Sequence, residues 1–256
     1  MDYTIADPVV APPEHADDFA EHIVRLPYCY QVNSHRAVAV AAAPSRERLG
    51  LPADGFVFAC FNMSRKIDPR TFALWLRILA RAPGAVLWLL TDDGGALANL
   101  RAEAKRRGIS PTRLVTAARV DAAAHLARCQ AADLFLDTLV CNAHTTASDA
   151  LWAGLPVLTH PGRSFAARVG ASIAGAARLG DLVCDSVDAY EDRAVALAAD
   201  PGAMAALRSR LIAGRSACAL FDTARFVRGL EAAFAETAER HRHGAAPRAI
   251  GVADLA

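Results

Sequence analysis

The chain has 256 residues, 54% of them hydrophobic and 21% charged, which supplies a substantial core and excludes a disordered protein. Lys+Arg 28 against Asp+Glu 27 leaves a formal net charge of +1, so bulk electrostatics argue for neither nucleic acid nor an anionic membrane as partner. Six scattered cysteines without a Cys-x-x-Cys pair, no apolar run near the ~20 residues of a membrane span, and no basic-then-apolar leader point to a soluble, cytoplasmic protein.

Residues 1–50 are punctuated by Pro8, Pro12, Pro13, Pro27 and Pro44, with at most one helical stretch near 14–25, and read as an N-terminal extension without a core of its own. From Phe56 the pattern turns regular, with apolar runs of strand length alternating with segments of helical length. Strands are expected at 56–61, 85–91, 113–120, 134–137, 156–160 and 182–185. The helices between and after them fall at 70–81, 96–107, 122–132, 145–153, 164–177 and 189–199. Such strands, apolar throughout, predict an α/β fold with a doubly wound, Rossmann-like parallel sheet covered on both faces. Two more helices, at 201–217 and 222–239, close the chain, with Leu220, Phe221, Phe226, Leu230 and Phe234 marking an apolar face that packs on a neighbour. This body spans 51–240. Beyond it, 241–256 has too little apolar material to order itself and reads as a flexible tail; His241 and His243 there are poor evidence for a metal.

Ligands on such sheets bind outside the carboxyl ends of the strands, so the loops following Phe61, Thr91, Val120 and Asp137 carry the candidate chemistry. The most informative is Asp137-Thr-Leu-Val-Cys-Asn-Ala-His-Thr-Thr-Ala-Ser-Asp149, which reads as strand, polar elbow and helix start. His144, Thr145 and Thr146 open a helix whose free N–H groups and positive dipole end suit a phosphate. Asp149, one turn deeper, is placed to reach a sugar hydroxyl. After the first strand, Lys66 stands where it could neutralise a phosphate; elsewhere it would read as an ordinary solvated lysine. Asp121 is a credible N-cap for a helix that sets His125 and Arg128 one turn apart, a pair able to stack on and hydrogen-bond a base. Asp92-Asp93 before Gly94-Gly95 reads as a turn. No Walker motif, Gly-x-Gly-x-x-Gly or Gly-x-Ser-x-Gly is present, which disfavours ATP hydrolysis, dinucleotide cofactors and serine hydrolysis.

Five ordered stretches together resemble the C-terminal, donor-binding half of the bacterial O-GlcNAc transferase-like (SPINDLY and O-linked N-acetylglucosamine transferase) glycosyltransferases, enzymes of the two-domain GT-B architecture. They are Leu51-Pro-Ala-Asp-Gly-Phe-Val-Phe-Ala-Cys-Phe-Asn62, Lys66-Ile-Asp-Pro69, Val86-Leu-Trp-Leu-Leu90, Ala132-Asp-Leu-Phe-Leu-Asp-Thr138, and Cys141-Asn-Ala-His-Thr-Thr with Asp149-Ala-Leu-Trp-Ala-Gly154. The resemblance runs from Met1 to about Phe234. It implies that Lys66 contacts the donor diphosphate as the catalytic residue, that His144, Thr145 and Thr146 hold phosphate, that Asp149 holds the ribose, and that His125 and Arg128 meet the uracil. It implies UDP-N-acetylglucosamine as donor, a protein or peptide acceptor, inverting transfer to Ser or Thr, and no metal cofactor. Met63 and Ala122 depart from the animal enzymes, which carry glutamine and lysine there. Met1-Asp-Tyr resembles a segment internal to the family, so 1–50 is expected to be a remnant of the preceding catalytic half and linker. No repeat of about 34 residues is present. The expectation is a donor half, weak or inactive alone, that works with a separate N-terminal half; the alternative is a non-catalytic nucleotide-sugar-binding module.

Overall fold

The computed structural model describes residues 2–91 and 93–255, so Asp92 of the Asp92-Asp93 pair lies outside the described residues. Near the N-terminus, β1 (Tyr3–Ala6) and β2 (His22–Arg25) flank a single 3-10 stretch at Pro13–Asp18. The expected helix near 14–25 is therefore half turn and half strand. Ile23 and Val24 are β-branched and buried on opposite faces of β2, and that two-sided burial favours a strand over a helix.

The regular part follows as β3 (Val57–Cys60), α1 (Pro69–Arg81), β4 (Val86–Leu90), α2 (Gly94–Arg106), β5 (Leu114–Ala117), α3 (Ala122–Cys129), β6 (Leu134–Leu136), α4 (Thr145–Trp152), β7 (Val157–Leu158) and α5 (Val169–Ala176). After it come α6 (Val187–Ala199), α7 (Pro201–Gly214), α8 (Thr223–Arg242) and β8 (Ile250–Gly251). The larger sheet is parallel, in the order β5-β4-β3-β6-β7. Every residue of β3, β4 and β6 is buried, which is why their sequences are continuously apolar. The chain winds outward from β3 to β5, then returns to the other side of β3 at β6. The order reverses between β3 and β6, and the crevice at their carboxyl ends is where ligands bind in open sheets of this type.

Helix starts follow their caps. Asp68 accepts from the N–H groups of Arg70 and Thr71 ahead of Pro69, and Asp121 accepts from Ala124 N–H at 2.8 Å, as its sequence position predicts. Asp93 caps α2 by accepting from Gly95 N–H at 2.8 Å, so Gly94-Gly95 open a helix where the sequence suggests only a turn. The strand expected at 182–185 reduces to one bridge, Thr159 with Val183, because the preceding residues wind into a 3-10 turn at Gly180–Leu182. Across the sheet face, Glu191 of α6 accepts from Arg77 Nε at 2.6 Å and Arg81 Nη1 at 2.9 Å, tying α6 to α1.

The two chain ends meet. β8 pairs in parallel with β2, giving a second sheet in the order β1-β2-β8, and Val24, Ala233 and Ile250 form a small core with Tyr3, Ile5 and Val252 against it. The segment beyond His241 thus does not simply fray: Ile250 is buried, and Arg225 and Tyr28 hold Asp254. Its apolar residues are few but are placed on a partner strand. Ile23, on the other face of β2, belongs to the main core. Of the apolar face expected on the last helix, Leu220 and Phe221 are buried ahead of α8, whereas Phe234 is 56% exposed. No helix among the described residues is long and apolar enough to cross a membrane.

Candidate functional site

The reversal point is built around Asp137, which follows β6 and is 1% exposed. Its Oδ1 accepts from the backbone N–H groups of Thr138 at 2.8 Å and Ala143 at 2.6 Å, and its Oδ2 accepts from Thr159 Oγ1 at 2.8 Å. One carboxylate therefore closes the whole 138–143 elbow. Asn142 is its second brace: Nδ2 donates to Thr138 O at 2.6 Å and Oδ1 accepts from Gly170 N–H at 3.1 Å. Asn62, reaching over from the end of β3, donates to Thr138 Oγ1 at 2.8 Å.

Burial pushes the Asp137 carboxyl up to about 7, against the opposing pull of the Ala143 N–H, Thr159, the Thr138 N–H and the Lys66 charge. A carboxyl raised in the folded state stabilises fully below its ordinary value of 3.8, and that contribution is lost as pH rises through about 7. Asp137→Asn removes this titration. The stability advantage of the native chain over the variant is expected to be smaller at pH 8 than at pH 5, as read by urea unfolding; an advantage that grows with pH would contradict the assignment.

Lys66 ends a 3-10 turn at Ser64–Lys66 and its Nζ donates to Asn142 O at 2.7 Å, so the lysine lies directly on the elbow. Two residues after Asn142 stands His144, the residue before α4, with φ −107° and ψ −101° and no side-chain capping bond. The first N–H groups of α4, those of Thr145 and Thr146 among them, have no acceptor inside the helix. Burial and then the Lys66 charge lower the His144 pKa, so its ring is held neutral, with Nε2 buried and unpartnered among the described residues.

On the other wall, α3 presents His125 and Arg128. Arg128 is 5% exposed; its Nε donates to His125 Nδ1 at 3.1 Å, its Nη1 donates to Ala118 O, and its guanidinium carbon lies 4.9 Å above the Phe61 ring. Because an arginine only donates, His125 Nδ1 is the acceptor and Nε2 carries the proton. Burial first, then Arg128, lowers the His125 pKa and favours this neutral form. His125 also meets Phe61 edge-on, with ring centroids 5.2 Å apart.

These walls enclose a cleft of about 440 Å³ at the carboxyl ends of β3, β4 and β5. Lys66, His125, Arg128 and Thr146 line it, together with Phe61, Asn62, Met63, Arg119 and Val120. His144 and Thr145 stand beside it on the first turn of α4. Asp149 sits one turn further along α4, where its Oδ1 bonds His35 Nε2 at 2.7 Å while its charge still acts on His125. Among the described residues lining it are Lys66, Arg119 and Arg128 and no carboxylate, a lining that suits an anion, with Phe61 and His125 as an aromatic floor. Asn62, Phe61, Arg119 and the bracing role of Asp137 follow strand ends yet carry no motif that marks them in the sequence, and Asn142 lies further on, at the far end of the elbow.

The family model for glycosyl transferase family 41 matches residues 37–230. The chain belongs to glycosyl transferase family 41. Within that family it is 37% identical over 254 residues to the probable UDP-N-acetylglucosamine–peptide N-acetylglucosaminyltransferase SEC of Arabidopsis thaliana, covering 97% of this chain and 26% of that protein. A mutant form of the Thermobaculum terrenum O-GlcNAc transferase superposes with a TM-score of 0.79 at 30% identity, over 92% of this chain and 45% of the other. The sucrose-phosphate synthase of Thermosynechococcus elongatus, at 16% identity, shares the fold alone, with a TM-score of 0.63 over 93% of this chain and 58% of that one. This family 41 chain has the α/β architecture of GT-B glycosyltransferases, and it spans about a quarter of the length of its Arabidopsis relative.

Proposed function

We propose that the cleft binds the donor UDP-N-acetylglucosamine and that the chain is the donor half of a protein O-GlcNAc transferase. The observation that carries this reading is the convergence of Lys66, Arg119 and Arg128 with the first turn of α4 on one cleft that no described carboxylate lines. A diphosphate seated there draws Lys66 Nζ from Asn142 O and meets the N–H groups of Thr145 and Thr146. The uracil lies toward His125 and Phe61. Arg128, whose donors go to His125 and Ala118, acts mainly by fixing that ring, and Asp149 receives the ribose.

In the transfer step the Ser or Thr oxygen of an acceptor protein attacks the anomeric carbon from the face opposite UDP. The bond from that carbon to the diphosphate oxygen breaks, and the sugar inverts. The departing negative charge is met by Lys66 and the α4 dipole, the task a divalent ion performs in other enzymes, so the reaction runs without a metal. The acceptor proton leaves to a base outside this cleft. A separate N-terminal half supplies that base and the acceptor groove, and the work is cytoplasmic, in keeping with six unpaired cysteines, five of them buried.

The test is transfer of labelled N-acetylglucosamine from UDP to a Ser/Thr peptide by this chain, alone and mixed with a family N-terminal half. Label is expected in the peptide only from the mixture. Binding of UDP-N-acetylglucosamine without any transfer from the mixture would favour the rival reading, a non-catalytic nucleotide-sugar module.

A further inference from the structure

The segment after β2 is laid along α4 residue by residue. Gln31 Nε2 donates to Ser148 Oγ at 3.2 Å, His35 Nε2 bonds Asp149 Oδ1 at 2.7 Å, and Trp152 Nε1 donates to Val38 O at 2.9 Å. The far side of the segment is tied down as well, Asn33 Nδ2 donating to Leu220 O at 3.3 Å. Asn33 is buried, and His35 beside it is half-buried. Its side chain is 13% exposed, and its ring stands edge-on to Phe221 at 5.3 Å and 6.1 Å from Trp152.

The chemistry of the pair is one-directional. A carboxylate only accepts, so His35 donates through Nε2–H. Nδ1 is buried without a partner among the described residues, so the ring's hydrogen bonding is directed to Asp149. One oxygen of Asp149 is thus fixed by His35. Oδ2 has no hydrogen-bond partner among the described residues, and the Asp149 side chain is 27% exposed, so this oxygen is left for a ligand.

We propose that His35 is a positioning residue of the donor site: its half-buried imidazole grips Asp149 Oδ1 and sets Oδ2 as the acceptor for the ribose hydroxyls of the nucleotide. This rests on the donor reading above, since Asp149 is the ribose carboxylate only if a nucleotide occupies the cleft. It gives the N-terminal extension a part in the site. A carboxylate on an exposed helix turn samples several rotamers; held by a wedged ring, it presents one geometry at lower entropic cost.

The readout is sugar discrimination, the affinity of the full chain for UDP divided by that for 2′,3′-dideoxy-UDP, measured by titration calorimetry. The native chain is expected to prefer UDP by about tenfold, as for one charge-assisted hydrogen-bonded group. His35→Phe keeps a ring between Trp152 and Phe221 but cannot donate. It is expected to cut the preference to about twofold while binding of the dideoxy analogue stays the same, an outcome that general loosening would not give. His35→Gln, which keeps an N–H donor, is expected to retain most of the preference, and it reads the same ratio should the phenylalanine variant fail to fold. Asp149→Ala should abolish the preference whether or not His35 is present. A native-like ratio in His35→Phe would overturn the proposal, as would equal affinity of the native chain for the two nucleotides. Failure of the native chain to bind either one would instead overturn the donor reading itself.

Discussion

Lys66→Ala is expected to weaken UDP binding about 100-fold, equivalent to about 2.7 kcal/mol, and to abolish detectable sugar transfer by the reconstituted enzyme. The lysine is the cleft cation whose contact is easiest to exchange. Its Nζ rests on a single carbonyl, Asn142 O, whereas Arg128 is committed to Ala118 O and to His125. Moving Nζ from a neutral carbonyl to a diphosphate trades an ordinary hydrogen bond for a charge-assisted one. In the proposed transfer step the same contact would meet charge as it develops on the leaving group, where loss of one such donor costs about 100- to 1,000-fold in rate. Lys66→Arg keeps the charge but changes the donor geometry, and an intermediate affinity is expected. Calorimetry with UDP measures both. An affinity in Lys66→Ala within threefold of native would remove the lysine from the site.

Gly170→Ala has the largest expected effect on stability, a loss of about 3 kcal/mol or more. A methyl group at this position of α5 would overlap Asp137 Oδ2 and Thr159 Oγ1, two atoms already hydrogen-bonded to each other at 2.8 Å. Neither can swing away: Asp137 and Thr159 are buried, and Gly170 N–H itself donates to Asn142 Oδ1. The only relief is to push α5 off the elbow, which breaks the brace beneath Lys66. The variant should therefore lose UDP affinity together with thermal stability. Gly175→Ala in the same helix, where nothing stands within 4 Å of the added atom, should cost less than about 0.5 kcal/mol. Equal melting temperatures for the two variants would show that the elbow tolerates repacking.

The larger sheet was legible because β3, β4 and β6 are buried on both faces and read as unbroken apolar runs between helical periods. The second sheet was not. Its pairing joins Val24 to Ile250 across almost the whole chain, and no local pattern in a four-residue and a two-residue strand announces that partnership. The same division holds within the site. Lys66, His125, Arg128 and Thr146 could be nominated because each lies just beyond a strand's carboxyl end, and the structure brings these four to one cleft. What holds them stayed hidden: His35 meets Asp149 across 114 positions in sequence, and Asn62 meets Thr138 across 76. Buried polar braces of this kind depend on tertiary proximity, so residue type alone leaves Asn62, Asp137 and Asn142 looking like ordinary loop residues.

Calorimetric titration of this chain with UDP in the presence of EDTA addresses the proposed metal-independent UDP site in the cleft at the carboxyl ends of β3, β4 and β5. Saturable one-to-one binding is expected, unchanged by the chelator and weakened by Lys66→Ala. No heat at millimolar UDP, or binding that disappears with EDTA, would contradict a metal-independent donor site.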